Sequence, residues 1–250
     1  MNFEHNKVVI KVIGIGDIGG SAISYLHNSR LSGIEFHSFI ETLTYDLLTG
    51  ADLIFLIADV SRKEDSKNLF NIAKFTKELD ILTISIATKL VDFDIRAALI
   101  KVTDALFIIP NIPAGTVNSF LLDTVGGVTD AVTQQGLIGF DFADLKALTQ
   151  NVGCCVIATG IVEGENRASE ATKKVISSPL LTSINIHRSY GMIINISAKE
   201  MTISELDIVF NEVNNLDLKD VQVKVVMTHN QSLGGYVKVT IIAAGVKVLN

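Results

Sequence analysis

The sequence predicts an α/β protein with a Rossmann-like, doubly wound parallel sheet, followed by a central helix and a smaller α+β C-terminal domain. Three observations lead to this prediction. Runs of β-branched residues alternate with helical patterns through the first half of the chain, and a glycine-rich turn follows the first run. Beyond residue 150 the order of the elements changes to one typical of an α+β unit. Alternating strands and helices are typical of parallel sheets.

The first half contains five predicted strands, which are Val8–Ile13, Ile34–Ile40, Leu53–Ile57, Ile81–Ala87 and Ala105–Pro110. Two helices are predicted between them, at Gly19–Ser29 and at Arg62–Leu79, the second with Ser61 as its N-cap. Apolar residues at helical spacing then predict a long central helix over Val117–Gln135.

The second half contains four predicted strands, which are Cys154–Val162, Gly191–Ser197, Val221–Thr228 and Tyr236–Ala244. Helices are predicted at Glu165–Ser177 and at Ser204–Asn215, where Ser204 is the expected N-cap. The predicted domains are therefore residues 1–115 for the Rossmann-like part, 116–150 for the central helix and its following loop, and 151–250 for the α+β part.

Composition excludes several classes of protein. The 250 residues have a formal net charge of −6, which disfavours nucleic-acid binding because phosphate contacts need a basic surface. The longest apolar runs, such as Leu53–Ala58, are far shorter than a membrane span, so no membrane insertion is expected. The first residues lack the apolar core of a signal peptide, which predicts a cytoplasmic protein. Cys154 and Cys155 are expected to be buried thiols, and no metal site is predicted.

The glycine-rich turn has two interpretations. Gly14, Gly16 and Gly19 match the dinucleotide fingerprint, with Glu41 as a possible ribose ligand about twenty residues further on. This interpretation predicts an NAD(P)-binding protein. The match is weak because glycine-rich first turns are common in α/β sheets, and the second half shows no constellation suited to hydride transfer.

Five longer motifs indicate a family. They are KVIGIGDIGGSAI (Lys11–Ile23), TKELDILTISIATK (Thr76–Lys89), DALFIIPN (Asp104–Asn111), GLIGFDFADLKAL (Gly136–Leu148) and GENRASEATKKVISSPLL (Gly164–Leu181). In this order they resemble FtsZ, the bacterial relative of tubulin, over most of the chain. The resemblance implies the tubulin/FtsZ fold and a cytoplasmic GTPase of cell division. It also implies GTP or GDP as cofactor and FtsZ-type subunits, or further copies of this chain, as head-to-tail partners at the septum.

The resemblance also implies site residues. The remnant phosphate loop would comprise Gly14, Gly16, Asp17, Gly19, Gly20 and Ser21, and the base-reading position falls at Asn118 or Ser119. The synergy loop, which acts on the nucleotide of a neighbouring subunit, would contribute Asp141 and Asp144 as catalytic acids, with Gly139 in place of the family's asparagine. A simpler interpretation is that Asp141 and Asp144 only begin a helix.

The sequence departs from the family at the nucleotide. The second glycine signature, GGGTGTG, is absent, and the corresponding stretch Asp59–Asn68 contains no glycine. The side chains of Arg62, Lys63, Glu64 and Asp65 are expected to be the solvated start of a helix. The alternative is that Arg62 or Lys63 contacts a phosphate. An aspartate that could read guanine is replaced by Asn118 or Ser119. Any GTP binding is therefore expected to be weak.

Three functional hypotheses follow. The leading one is an FtsZ-like protein that modulates or caps FtsZ-type filaments. The first alternative is a reduced FtsZ that still binds and hydrolyses GTP during polymerisation. The second is a scaffold that does not polymerise, or an NAD(P)-binding Rossmann protein.

Overall fold

The computed structural model describes residues 8–29, 31, 33–39, 45–89, 92–109, 114–133, 140–218 and 220–247, with the backbone alone at 45–46 and 114–115. The chain forms two compact units, Met1–Val125 and Gly126–Asn250. The division into three parts with boundaries after residues 115 and 150 stays a prediction.

The first unit is built on five strands with helices between them. In chain order its elements are β1 (Ile10–Ile15), α1 (Gly16–Asn28), β2 (Ile34–Phe39), α2 (Tyr45–Leu48), β3 (Leu53–Asp59), α3 (Lys63–Glu78), β4 (Leu82–Thr88), α4 (Phe93–Val102), β5 (Ala105–Ile109) and the beginning of α5 (Ala114–Thr133). The strand order is β2-β1-β3-β4-β5, and every neighbouring pair is parallel. The predicted doubly wound parallel sheet is confirmed.

Two central strands lie in the core of this unit. Every residue of β3 and β4 is buried, as expected for strands covered on both faces of a parallel sheet. The order of the strands reverses between β1 and β3, because the chain moves to opposite sides of β1 for β2 and β3. Ligands of parallel sheets bind at such a reversal, beside the carboxyl ends of the strands.

Two glycines bring α1 directly onto the sheet. A Cβ atom added to Gly14 would lie 2.2 Å from the carbonyl oxygen of Gly19, and one added to Gly19 would lie 2.7 Å from the carbonyl oxygen of Ile57 in β3. Real Cβ atoms do not approach other atoms so closely, so both positions require glycine. The contact places the first turn of α1 at the carboxyl edge of the sheet.

Several predicted boundaries were wrong. Helix α1 was predicted to begin at Gly19, but it begins at Gly16, which has a φ of 69° and follows β1 directly. Ser61 does not cap α3, because the helix begins at Lys63. The Ser61 hydroxyl instead donates a hydrogen bond to Asp59 Oδ1 at 2.7 Å. Helix α4 was not predicted at all, although the Asp92 side chain caps it by accepting hydrogen bonds from the backbone N–H groups of Asp94 and Ile95.

The second unit is a mixed sheet with helices. Its elements after α5 are α6 (Phe142–Thr149), β6 (Gly153–Glu163), α7 (Arg167–Ile176), α8 (Pro179–Thr182), β7 (Gly191–Ala198), α9 (Ile203–Asn214), β8 (Gln222–His229) and β9 (Tyr236–Ala244). Strand β9 is antiparallel to both β6 and β7, and β7 is parallel to β8. The predicted α+β organisation is confirmed, but Thr202 rather than Ser204 caps α9.

Two further sequence expectations concern burial and membranes. The side chains of Cys154 and Cys155 are buried in β6, as predicted. Among the described residues, none of the helices combines the length and the apolar character that crossing a membrane requires.

Substitution of the glycines of α1 tests this packing. Gly14→Ala is expected to lower the free energy of unfolding by about 3 kcal/mol, because the new methyl group overlaps the backbone of Gly19. Gly20→Ala is the control, because a Cβ atom at Gly20 meets nothing within 4 Å. It should leave stability unchanged or raise it by about 0.5–1 kcal/mol. Urea unfolding of both variants measures the difference, and equal midpoints would contradict the packing described here.

Candidate functional site

A cleft of about 390 Å³ lies at the carboxyl edge of the parallel sheet, beside the first turns of α1 and α3. It is lined by Gly16, Asp17, Gly20, Ser38, Phe39, Arg62, Glu64, Asp65 and Asn68. Both its size and its position at the reversal of strand order are typical of a small-molecule site.

Asp65 has the most unusual environment in the cleft. Its side chain is 6% exposed, and a Cβ atom added to Gly16 would lie only 2.4 Å from its Oδ2 atom. The carboxylate therefore lies against the first residue of α1. Among the described residues no group donates a hydrogen bond to Oδ2. Burial raises the pKa of Asp65, and the nearby guanidinium of Arg62 offsets only part of that rise.

Arg62 connects the first turns of the two helices. Its Nη1 atom donates a 2.5 Å hydrogen bond to Asp17 Oδ2, whereas its Nε atom lies 3.6 Å from Asp65 Oδ2. The hydrogen bond to Asp17 is the main reason that the pKa of Arg62 is raised. The guanidinium is thus already engaged by a carboxylate of the protein itself.

The charge of the cleft is predominantly negative. Asp17, Glu64 and Asp65 contribute three carboxylates, and Arg62 is the single cation among the described residues that line the cleft. Neither N-cap residue, Ile15 for α1 or Arg62 for α3, supplies a side-chain hydrogen bond to its helix. Acidic side chains lie instead in the first turns of both helices, where the helix dipole stabilises them.

The structure separates the predicted phosphate-loop residues into two groups. Gly16, Asp17 and Gly20 line the cleft, whereas Gly14 and Gly19 lie in the contact between α1 and the sheet. Ser21 is exposed on α1, where its hydroxyl donates to the carbonyl oxygen of Asp17 at 2.9 Å.

The predicted base-reading residues lie on α5. Asn118 is half-buried, and Ser119 is exposed and donates to the carbonyl oxygen of Thr116 at 2.9 Å. Neither residue is among those described as lining the cleft. Glu41, the ribose ligand of the dinucleotide interpretation, lies outside the described residues, as does Gly139 of the synergy loop.

Asp141 and Asp144 begin α6 in the second unit. Asp144 N donates to Asp141 Oδ1 at 2.9 Å, and Asp141 N donates to Asp144 Oδ2 at 3.3 Å, which together form a capping box. Lys224 Nζ lies 3.0 Å from Asp144 Oδ1, and this hydrogen bond is the main reason that the pKa of Asp144 is lowered. Both acids begin a helix, as predicted, and their catalytic role stays a prediction.

Arg167 of the GENRASEA motif stabilises the second unit. Its Nε atom donates to Glu205 Oε1 at 2.6 Å, and its Nη atoms donate to the carbonyl oxygens of Gly235 and Glu200 at 2.8 and 2.9 Å. This side chain therefore connects α7 with α9 and with the turn before β9. The hydrogen bond from Arg167 is the main cause that lowers the pKa of Glu205 to about 2.

Comparison with known proteins agrees with this fold. Residues 153–247 match the model of the FtsZ family, C-terminal domain. The cell division protein FtsZ of Buchnera aphidicola subsp. Baizongia pistaciae is 29% identical over 317 residues, which cover 98% of this chain and 81% of the relative. That of Pseudomonas aeruginosa is 25% identical, with coverage of 95% and 77%.

Solved structures show the same fold. The empty FtsZ dimer of M. jannaschii has a TM-score of 0.81 at 21% identity, covering 97% of this chain and 89% of that one. GDP-form protofilaments of TubZ from Bacillus thuringiensis serovar israelensis give a TM-score of 0.69 at 9% identity, covering 97% and 86%. The chain is FtsZ-like in sequence over nearly its whole length, and it has the fold of tubulin/FtsZ proteins. The 317 aligned residues exceed its 250, so its FtsZ relative contains segments that are absent here.

Asp65 is the cleft residue that sequence reasoning misjudged in this FtsZ-like chain. It was expected to be solvated as part of a charge run. The structure buries it on the same face of α3 as Leu69, Ile72, Ala73 and Thr76. The signal was present in the sequence, because these residues follow Asp65 at helical spacing.

The ion pair of Arg167 generates a prediction on pH dependence. The pKa of Glu205 lies below its ordinary value of 4.5, so its stabilising contribution is complete above pH 4.5 and is lost as the pH falls towards 2. Glu205→Gln should therefore be less stable than the wild type by about 2–3 kcal/mol at pH 7. Urea unfolding at a series of pH values should show this difference shrinking between pH 4.5 and 2.

The exposed Glu170 on α7 provides the control for this experiment. Glu170→Gln removes one carboxylate from the same unit without touching Arg167, and it should change stability by less than about 0.5 kcal/mol. A difference for Glu205→Gln that stays constant down to pH 2 would contradict the assignment to the ion pair.

Proposed function

We propose that this FtsZ-like protein modulates or caps FtsZ-type filaments in the cytoplasm, and that its cleft does not hold GTP or GDP tightly. The observation that carries the proposal is that side chains of the protein itself fill part of the cleft. Asp65 lies against Gly16, and Arg62 is hydrogen-bonded to Asp17. The proposed partners are FtsZ-type subunits, without nucleic acid and without insertion into a membrane.

The magnitudes favour exclusion of a nucleotide phosphate. A helix N-terminus stabilises an anion by about 0.3–1 kcal/mol, or about 2 kcal/mol when partly buried. A carboxylate about 4 Å from a phosphate charge costs about 1 kcal/mol in water and about 4 kcal/mol near a protein surface. The cleft presents three carboxylates, and its cation Arg62 already binds Asp17. Repulsion therefore outweighs the attraction of the two helix ends, which supports the proposal that the cleft does not hold GTP tightly.

The missing glycine signature acts in the same direction. A glycine-rich loop leaves room for phosphates, because it has no side chains and adopts backbone conformations with positive φ. In this chain the residues after β3 turn directly into α3, and the side chains of Arg62, Glu64, Asp65 and Asn68 line the cleft.

In this proposal the synergy loop of the second unit supplies the surface that docks. Asp141 and Asp144 are fixed at the start of α6, and the flanking Phe140 and Phe142 are half-buried with apolar surface to offer. Head-to-tail assembly joins two different surfaces of successive subunits. A subunit with a competent synergy loop but an unsuitable cleft would join the end of a filament and block further addition.

A second candidate function has one observation in its favour. Gly16, Asp17 and Gly20 still line a cleft in the position expected for a nucleotide, beside two helix N-termini without side-chain caps. A reduced FtsZ that binds GTP weakly and hydrolyses it within polymers would use this cleft.

Nucleotide binding distinguishes the two candidates. The purified protein should show no GTP turnover and should retain neither GTP nor GDP. Loss of two or three charge-assisted phosphate contacts, at about 1.5–3 kcal/mol each, weakens binding by roughly a thousandfold or more. Isothermal calorimetry and a phosphate-release assay measure both quantities, with a conventional FtsZ as positive control. A micromolar dissociation constant for GTP would establish the reduced-FtsZ alternative instead.

Filament assays test the capping proposal. The protein alone should form no filaments, and substoichiometric amounts should shorten those of a conventional FtsZ that carries GGGTGTG, because only filament ends need to be occupied. Light scattering and electron microscopy of mixtures measure this effect. Self-assembly into filaments, or unchanged filament length at every ratio, would contradict capping.

Variants at the synergy loop separate docking from chemistry. Asn is as good an N-cap as Asp, so Asp141→Asn with Asp144→Asn removes both charges while keeping hydrogen-bond acceptors for α6. This double variant should still shorten filaments but should reduce GTP hydrolysis at the junction where it docks. The matched control is Asp92→Asn with Asp94→Asn, which removes two charges from the start of α4 and should change neither property.

A further inference from the structure

The acidic cleft contains a buried carboxylate that has an ion-pair partner but whose Oδ2 atom receives no hydrogen bond from the described residues. Asp65 is 5% exposed, and among the described residues nothing donates a hydrogen bond to its Oδ2 atom. Leaving a buried charged acceptor without a donor is costly, and native proteins normally satisfy such atoms. Asp65 lines the cleft, but its Oδ2 atom has almost no exposed surface beside Arg62, so a ligand supplies the missing donor once Arg62 moves.

Arg62 shows which chemical group the cleft accommodates. Its guanidinium lies between Asp17 and Asp65, but it is hydrogen-bonded only to Asp17, because 3.6 Å from Nε to Asp65 Oδ2 is too long for a hydrogen bond. The Arg62 side chain is 53% exposed, so it can move aside. One guanidinium does not satisfy both carboxylates, and Glu64 adds a third acid on the same wall.

We propose that the cleft binds a small organic cation bearing a guanidinium or primary ammonium group, which donates hydrogen bonds to Asp65. The cation lies beside Asp65, within hydrogen-bonding distance of Oδ2, whereas Arg62 Nε lies 3.6 Å from that atom. Ser38 and Asn68 also line the cleft and offer oxygen acceptors for the remaining N–H groups. A volume of about 390 Å³ suits a small molecule.

A metal ion is a poorer candidate for this cleft. In the part of the chain that the structure describes, no three or more His, Cys, Asp or Glu side chains form a group that could hold one. A guanidinium or ammonium needs only one or two carboxylates and forms charge-assisted hydrogen bonds with them. This inference goes beyond the capping proposal and does not depend on it, because it concerns binding by the isolated protein.

Agmatine is a suitable probe, because it carries a guanidinium at one end and an ammonium at the other. Calorimetric titration of the full chain should show saturable binding. Asp65→Asn should weaken binding by about tenfold or more, since it removes a charge-assisted hydrogen bond. Arg62→Gln should strengthen binding, also by about tenfold, because it removes the competing guanidinium from the cleft.

The control variant is Asp94→Asn, which removes one exposed carboxylate from α4 in the same unit. Its affinity for agmatine should stay within about twofold of the wild type. Equal affinities of Asp65→Asn and Asp94→Asn would show that agmatine is attracted only by net charge, and this would overturn the proposal.

Two further outcomes would also overturn it. The first is no saturable agmatine binding by the wild type. The second is binding of Mg²⁺ or GDP that Asp65→Asn alters while agmatine does not bind. Urea unfolding checks that Asp65→Asn is folded; if it is not, Arg62→Gln alone decides, and an affinity equal to the wild type would contradict the proposal. A positive result leaves the capping proposal to be tested separately by the filament assays.

Discussion

The close contact between α1 and the parallel sheet determines where the candidate site lies. Gly14 and Gly19 allow the helix backbone to approach β1 and β3 so closely that no Cβ atom fits at either position. The first turn of α1 therefore lies at the carboxyl edge of the sheet, where the chain also leaves β3 and enters α3. The cleft is a consequence of this packing. The two glycines are needed for the fold whether or not a phosphate binds, so their presence is not by itself a sign of nucleotide binding.

The contact between α1 and the sheet also shows what the sequence could and could not predict. A continuous apolar run identified β3 correctly, as is typical of strands buried on both faces. Strand β4 was also predicted correctly, although Thr83, Ser85 and Thr88 interrupt its apolar residues. The start of α1 was predicted three residues too late, at Gly19, since Gly16 read as part of a loop although it is the first residue of the helix. Asp65 was predicted to be solvated, because a run of four charged side chains outweighed its helical spacing from Leu69. Close contacts across a fold, unlike local periodicity, are not visible in one sequence.

Two pairs of acidic residues show how differently the same side chain can be used. Asp141 and Asp144 accept hydrogen bonds from backbone N–H groups, and Asp144 also pairs with Lys224, so both stabilise the start of α6. Such a cap contributes about 0.5–2 kcal/mol. Asp65 is buried beside Gly16 with one oxygen that no described residue satisfies, and Asp17 is engaged by Arg62. Local departures from good packing and hydrogen bonding are expected mainly at functional sites. The unsatisfied Asp65 oxygen is such a departure, and it lies in the cleft.

Charge provides a physical reason for the proposed one-sided association, and this reason is independent of nucleotide. In a head-to-tail pair of two copies, the acids Asp141 and Asp144 of one copy would approach the cleft of the next, which contains three carboxylates and one engaged cation. Like charges placed opposite each other in an interface cost several kcal/mol and suppress that pairing. The family resemblance implies that a conventional FtsZ presents a glycine-rich loop in place of these carboxylates. The acidic side chains in the cleft would therefore disfavour both a nucleotide phosphate and a second copy of the chain. They would not affect the docking of this chain's synergy loop onto a different partner.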